Sequence, residues 1–98
     1  MNRAEHLLTC LSEECAEVSQ RAAKALRFGL SEVQAGQGLT NAQRITDELK
    51  DLWAVAILCA QAGLIPYPQP SIAEIDRKRE KIERFMAISR AEGVLSDG

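Results

Sequence analysis

The stretch LSEECAEVSQRAAKALRFG, residues 11–29, decides how this 98-residue chain folds. No proline or glycine occurs from Asn2 to Phe28, and apolar side chains recur there every three or four residues. These side chains are Leu7, Leu11, Cys15, Val18, Ala22 and Ala25. Such a period is typical of an amphipathic α-helix. The sequence therefore predicts a long first helix, with Gly29 as its C-cap.

A second helix is predicted from Thr40 to about Ala62, just before Gly63. Thr40 and Gln43 fit a capping box, in which each residue satisfies a backbone N–H of the other. Apolar residues follow at helical spacing, namely Ile45, Leu49, Leu52, Ala56 and Cys59. The intervening segment 30–39 has two glycines and no periodicity, which indicates a mobile loop.

A third helix follows a proline-rich turn. All three prolines lie between Ile65 and Pro70, where they favour an extended backbone. Ser71 and Glu74 form a second capping box, and the helix that they start ends near Gly93. Its apolar positions are Ile72, Ile75, Ile82 and Met86. The last five residues are expected to fray.

These elements predict an all-α fold, made of a helical hairpin plus a third helix in each chain. We find no repeat and no linker, so residues 1–98 are predicted to form a single domain. A chain of this length buries only roughly 60 to 65 per cent of its unfolded surface. We therefore expect oligomerisation to complete a four-helix-type bundle.

The composition of the chain argues against nucleic acid and membranes as binding partners. The formal net charge is −2 and there is no long basic run, so nucleic acid is not an expected partner. No apolar run approaches the ~20 residues of a membrane span, and the charged start lacks a signal region. Cys10, Cys15 and Cys59 lack CxxC spacing and are interpreted as reduced core residues. We expect a cytoplasmic protein without a membrane partner.

Carboxylates lie in the middle of both hairpin helices. Glu14 and Glu17 are neighbours on the surface of helix one, because residues three apart share a face. Glu48 and Asp51 repeat this spacing on helix two. In an antiparallel hairpin four or five carboxylates would converge and repel each other unless a cation or protons intervened. Oxygen-only ligands favour Mg²⁺, with Mn²⁺ as a possible substitute.

The acids also have a plainer interpretation. They could form ordinary helix ion pairs on solvated faces, such as Glu17 with Arg21 and Asp47 with Lys50. A single Glu-x-x-Glu spacing is common in helices. Two such pairs, each bordering the apolar row of its helix, favour the metal site instead.

The joint pattern, EExxE at residues 13–17 and ExxD at residues 48–51, resembles the MazG-like all-α NTP pyrophosphohydrolases. The stretches 11–29 and 40–59 are similar to the compact phage and bacterial branch, and the resemblance covers roughly residues 5–90. It implies magnesium-dependent hydrolysis of a nucleoside triphosphate to the monophosphate and pyrophosphate, a house-cleaning activity on the nucleotide pool. It also implies a homodimer or homotetramer.

The resemblance assigns roles to the acids. Glu14, Glu17, Glu48 and Asp51 would ligate the principal metal. Glu13 would help to bind a second metal or would orient the attacking water, so Glu13 and Glu14 are the predicted catalytic residues. No covalent enzyme intermediate is needed.

Basic and amide side chains near the acids are candidates for substrate binding. Arg21, Lys24 and Arg27 follow the acids of helix one at helical spacing and could meet the β and γ phosphates. Lys24 is the preferred candidate among them. Asn41 and Arg44, near the start of helix two, lie within reach of the same cleft. The predicted substrate-binding set is therefore Lys24, Arg27, Asn41 and Arg44.

Two alternatives stay open. The chain could be a non-catalytic helical dimer that acts as an interaction module, or a regulatory protein that binds nucleotides without turnover. Trp53 could stack on a base or pack in a core or dimer interface. Base and sugar preference does not follow from the residues, although the resemblance favours deoxynucleotides.

Overall fold

The computed structural model describes residues 1–96, and within that range the chain has three α-helices and no strand. Helix α1 runs from Arg3 to Phe28, α2 from Asn41 to Gln61, and α3 from Ile72 to Ala91. The all-α prediction is confirmed. Two compact units can be distinguished, one spanning Met1–Pro68 with α1 and α2, and one beginning at Gln69 with α3.

All three helices begin with a capping box. Those at Thr40 and Ser71 were expected from the sequence, whereas the one that pairs Asn2 with Glu5 is an additional finding. The backbone N–H of Glu5 donates to Oδ1 of Asn2 over 2.8 Å. Helix α1 ends as predicted at Gly29, whose φ of 98° is a conformation that favours glycine. Local chemistry therefore fixes where the helices start and where α1 ends.

Helices α1 and α2 form an antiparallel hairpin. Near one end, Sγ of Cys59 lies 3.8 Å from the carbonyl oxygen of Leu7. At the other end, Nδ2 of Asn41 donates to the carbonyl oxygen of Gly29 over 2.8 Å. The buried apolar residues within 1–96 are Leu7, Ala25 and Cys59. The hairpin core is thus a narrow row of side chains between two helices.

The connection between the helices is a loop, as predicted, but it is tied to the start of α2. The backbone N–H of Asn41 donates to the carbonyl oxygen of Glu32, and that of Ala42 donates to Leu30. An isolated antiparallel bridge pairs Val33 with Thr40. These bonds give the loop a defined path, while its mobility stays a prediction.

The three thiols are free, but their predicted placement in the core is wrong for Cys15, which is exposed. Cys59 is fully buried and Cys10 is half-buried. Cys15 follows Glu14 by one residue and so by about 100° of helix rotation. Since α1 packs against α2 through one narrow face, this rotation carries Cys15 out to the surface.

Helix α3 buries none of its residues within its own unit. After it, the backbone N–H groups of Val94 and Leu95 donate to the carbonyl oxygen of Ser89. The chain is therefore held against α3 as far as Leu95, and the expected fraying of residues 97–98 lies outside the described residues. Within 1–96 no helix combines the length and apolar composition needed to cross a bilayer.

Candidate metal-binding site

The hairpin brings together three of the five predicted acids. Glu14 and Glu17 come from α1 and Glu48 comes from α2. One carboxylate oxygen of each residue lies within 4.8 Å of the corresponding oxygens of the other two. These three residues are called the acidic cluster below. It lies midway along the hairpin because antiparallel packing places the middle of α1 against the middle of α2.

Glu13 and Asp51 border the acidic cluster without joining it. Both residues are exposed. Their negative charges help to raise the pKa of Glu14, and that of Asp51 also helps to raise the pKa of Glu48. Both acids are therefore close enough to act on the cluster electrostatically. The roles of Asp51 as a ligand and of Glu13 as a water-orienting group stay predictions.

The acidic cluster disfavours its own ionised state. Partial burial is the largest cause of the raised pKa of Glu14, followed by the charges of Glu17, Asp51 and Glu13. The pKa of Glu48 is raised chiefly by a hydrogen bond with Glu17, which requires a shared proton, and then by burial and neighbouring acids. A proton or a cation would relieve this repulsion.

Three buried side-chain atoms within residues 1–96 have no hydrogen-bond partner. They are Oε2 of Glu14, Oε2 of Glu48 and Nη1 of Arg21. Unpartnered buried polar atoms are uncommon in folded proteins and each destabilises the fold. The ion pairs of the plainer interpretation do not satisfy them, because neither Glu17–Arg21 nor Asp47–Lys50 forms among the described residues. The cluster is therefore not an ordinary set of helix ion pairs.

The donor set fits a hard divalent cation. All of its atoms are carboxylate oxygens, which Mg²⁺ and Mn²⁺ prefer and soft metals do not. Mg²⁺ takes oxygens at about 2.0–2.1 Å, so oxygens on opposite sides of it are roughly 4.2 Å apart. The three oxygens lie within 4.8 Å of one another, slightly wider than that separation, so small side-chain movements would bring them onto one cation. Two of the three residues also hold a buried oxygen that lacks a partner.

The predicted substrate-binding cations differ in what they contact. Lys24 is half-buried and has no ion pair or hydrogen bond among residues 1–96. Arg27 is exposed, and its guanidinium lies 4.8 Å from the centre of the Phe28 ring. Nη1 of Arg44 donates to Oε1 of Gln34 over 2.9 Å. Arg44 therefore helps to hold the loop, and substrate contact by these three side chains stays a prediction.

Asn41 has a structural role that the sequence did not reveal. It is 3% exposed, and its Nδ2 donates to the carbonyl oxygen of Gly29 and to Oε1 of Glu32. Both amide hydrogens are used within the chain, so they are not available to a substrate in this conformation. The loop acid Glu32 was not singled out from the sequence, because nothing in the pattern indicates which loop residue folds back onto the helix.

Trp53 lies at the wall of an open apolar groove and not in the hairpin core. It is 43% exposed. The groove has a volume of about 450 Å³ and is also lined by Leu49, Leu52, Ala56 and Pro68. Leu52 follows Asp51 by one residue and so by about 100° of helix rotation, which places the groove on a different side of α2 from Asp51. The position suits an apolar or aromatic partner, including a base or a second chain.

The resemblance to the MazG-like family depends on the acids at residues 13–17 and 48–51. The structure brings three of these acids together and leaves Asp51 outside the acidic cluster. Membership of the family stays a prediction. Comparison of the chain with models of protein families, with curated protein sequences and with solved structures gave no match.

Proposed function

We propose that the chain is a magnesium-dependent nucleoside triphosphate pyrophosphohydrolase of the MazG-like type. The observation that supports this most strongly is the acidic cluster, with carboxylate oxygens from two helices within 4.8 Å of one another. Glu14 and Glu48 each hold a buried oxygen without a partner there. A proton or a cation would relieve the repulsion in such a group of like charges, and a hard cation there suits phosphate chemistry.

In the proposed site Glu14, Glu17 and Glu48 bind the cation and Asp51 completes the set. A bound Mg²⁺ neutralises phosphate charge and lowers the pKa of a coordinated water. The exposed carboxylate of Glu13 accepts a hydrogen bond from the attacking water and so orients it. Attack at the α phosphorus releases pyrophosphate and leaves the nucleoside monophosphate.

The proposal includes a homodimer or homotetramer. The hairpin exposes large apolar side chains, among them Leu49 and Trp53, while few apolar residues are buried. A second copy that covers part of this surface would add the apolar burial that a short chain lacks. The Trp53 groove on α2 would then contribute to a base pocket, with deoxynucleotides as the favoured substrates.

The test is a panel of NTPs and dNTPs with Mg²⁺ or Mn²⁺, scored separately for pyrophosphate and orthophosphate. We expect pyrophosphate from at least one nucleotide. Glu48→Gln removes a proposed metal ligand. In other metal sites the loss of an outer-shell partner alone can reduce activity about a hundredfold, so we expect at least that reduction in the rate of hydrolysis. The matched control Glu80→Gln changes an exposed acid of α3 and should leave the rate unchanged.

Each outcome discriminates between functions. Orthophosphate without pyrophosphate would contradict the assigned bond. Stabilisation by Mg²⁺ without turnover of any nucleotide would favour the non-catalytic, nucleotide-binding alternative. No stabilisation and no turnover would contradict the metal site itself.

A further inference from the structure

We infer that the second copy of the chain, which the proposed function includes, packs on one side of the hairpin that faces away from the acids. Each helix carries there a row of uncharged, largely apolar residues. On α1 the row is Leu8, Leu11, Cys15, Ser19, Ala22 and Leu26. On α2 it is Ala42, Thr46, Leu49, Trp53, Ala56 and Ala60. Most of these residues are exposed, so the packing of α1 against α2 leaves them uncovered. The two rows together are called the outer apolar face below.

A groove shared by the two helices shows that both rows lie on the same side of the hairpin. Ala22 and Leu26 of α1 line it together with Ile45 of α2, and its volume is about 470 Å³. Leu49 follows Ile45 by four residues and therefore lies on the same side of α2. Leu49 also lines the Trp53 groove. The two grooves therefore open along one side of the hairpin, one at the loop end and one farther along α2.

The outer apolar face points away from the acids. On α1, Glu17 follows Cys15 by two residues and is turned by about 200° from it. On α2, Asp51 is turned by the same angle from Leu49. Neither row contains a charged residue, although charged residues make up 27% of the chain. The centres of protein–protein interfaces are likewise depleted in charged residues. A partner can therefore cover this face without contacting the acidic cluster.

The size of the outer apolar face fits a dimer interface. A helix of 21 residues, such as α2, is about 31 Å long, and two packed helices are about 20 Å wide. The face therefore measures about 600 Å², at the upper end of the apolar patches found on monomers. It is close to the roughly 800 Å² that each partner contributes to an interface of standard size.

The outer apolar face is complementary to a copy of itself. Leu26 is 89% exposed and projects from the loop end, while the Trp53 groove is open and apolar. Because both lie on the same face, a two-fold symmetric contact brings a projecting leucine and a groove from each copy into one interface. The contact also adds the apolar burial that a chain of this length lacks. These features favour a second copy as the occupant.

Sedimentation velocity of the full chain in EDTA, without nucleotide, tests this inference. We expect wild type to sediment as an oligomer and Leu49→Lys to dissociate at least about tenfold more readily, because the contact would bury an unpaired ammonium. The matched control is Leu58→Lys, which should associate like wild type. Leu58 is 44% exposed and Leu49 47%, but the nine residues between them place Leu58 about 180° away, on the opposite side of α2.

Trp53 is the single tryptophan of the chain and supplies a second measurement. Its emission should lie at shorter wavelength in wild type than in Leu49→Lys, because the partner shields it from water. Dilution of wild type should shift the emission to longer wavelength as the oligomer dissociates. An emission that stays constant during dissociation would place the interface elsewhere and contradict the inference. If Leu49→Lys does not fold, Leu26→Lys on α1 replaces it, with the same results expected.

The results separate this inference from the proposed reaction, because the association requires neither metal nor nucleotide. A monomeric wild type overturns it, and so does a Leu49→Lys that associates like wild type or a Leu58→Lys that dissociates equally. A nucleotide that dissociates the oligomer while it quenches Trp53 would assign the groove to a base and would also overturn it. Dissociation of Leu49→Lys alone, in a protein that hydrolyses no nucleotide, supports the outer apolar face and contradicts only the reaction.

Discussion

Two polar sites lie between the helices of the hairpin, and they differ in how their hydrogen bonds are satisfied. At the loop end, Asn41 is 3% exposed and donates both amide hydrogens, over 2.8 and 3.0 Å. Midway along the hairpin, buried atoms of Glu14, Glu48 and Arg21 have no partner. Both sites place polar groups where apolar ones would stabilise the hairpin, but only the first completes its bonds within the chain.

The difference separates a polar group whose hydrogen bonds stabilise the fold from groups whose hydrogen bonds the described chain does not complete. A buried polar side chain is tolerated when it is hydrogen-bonded and destabilises the fold when it is not. The loop-end site therefore stabilises the hairpin and fixes the path of the loop. The acidic cluster lowers stability until a proton or a cation relieves the repulsion among its carboxylates, a pattern expected where a fold serves a site.

The largest effect that would sharpen this comparison is stabilisation by Mg²⁺. At a hundred times its dissociation constant a ligand adds about 2.7 kcal/mol, which for a chain of this size raises Tm by about 10–20 °C. Glu14→Gln should remove most of this rise, and Asn41→Ala should retain it. The measurement is thermal melting in EDTA and in a MgCl₂ series at constant ionic strength. An equal rise in the two variants would mean that Mg²⁺ does not bind at the acidic cluster.

The loop-end site predicts the next largest effect. Asn41→Ala removes two donors and leaves the carbonyl of Gly29 and the carboxylate of Glu32 without them. We expect a loss of about 2 kcal/mol, or about 8–16 °C in Tm. Glu32→Gln is the matched control, because its amide oxygen still accepts from Asn41, and it should lose less than half as much. If Asn41→Ala melted like wild type, the loop-end site would not be structural.

The local rules of the sequence predicted the helices well. Capping boxes at Thr40 and Ser71 and the glycine end of α1 depend on residues a few positions apart, so they can be deduced from short stretches. The spacing of the acids predicted that Glu14, Glu17, Glu48 and Asp51 converge, and the first three do, whereas Asp51 stays outside the acidic cluster. Antiparallel pairing of two helices leaves few other arrangements for residues near their middles.

What the sequence did not reveal depends on distant contacts. The roles of Asn41 and Glu32 arise from the path of the loop, which no periodicity describes. Cys15 was assigned to the core because it follows the apolar spacing, but a helix with one packed neighbour buries a narrower face than that spacing suggests. The missing partner of Arg21 could not be foreseen, since the helical spacing predicts an ion pair with Glu17 that the structure does not form.

A smaller effect is the response of the metal-free protein to pH. The pKa values of Glu14 and Glu48 are raised from 4.5, so the folded chain holds these protons more tightly than the unfolded chain does. Their contribution to stability is complete below pH 4.5 and is lost as pH rises through the raised values. In EDTA, Tm should therefore increase from pH 8 to about pH 5.

The control for the pH response is Glu48→Gln, which removes one titrating group and weakens the repulsion on the others. Its Tm should change less over the same range. The pKa of Glu74 is lowered from 4.5 by its hydrogen bonds to Ser71, so the α3 cap loses stability chiefly below pH 4.5, outside this range. A wild-type Tm that falls steadily from pH 8 to pH 5, or that changes no more than the Tm of the variant, would show that the acidic cluster is not strained.

The smallest predicted effect is the change in stability when the unpartnered guanidinium of Arg21 is removed. Arg21→Met replaces a partly buried guanidinium by an apolar side chain that fills part of the same space. Replacing buried charges by apolar groups is often neutral or stabilising, and we expect a gain of about 0–1 kcal/mol without ligand. Chemical denaturation of the metal-free protein would measure it, with Arg3→Gln as the exposed control.

Asn41→Ala and Arg21→Met should thus change stability in opposite directions, because one removes hydrogen bonds that the fold uses and the other removes a donor that lacks a partner. A loss of 2 kcal/mol or more in Arg21→Met would show that Arg21 has a partner in solution.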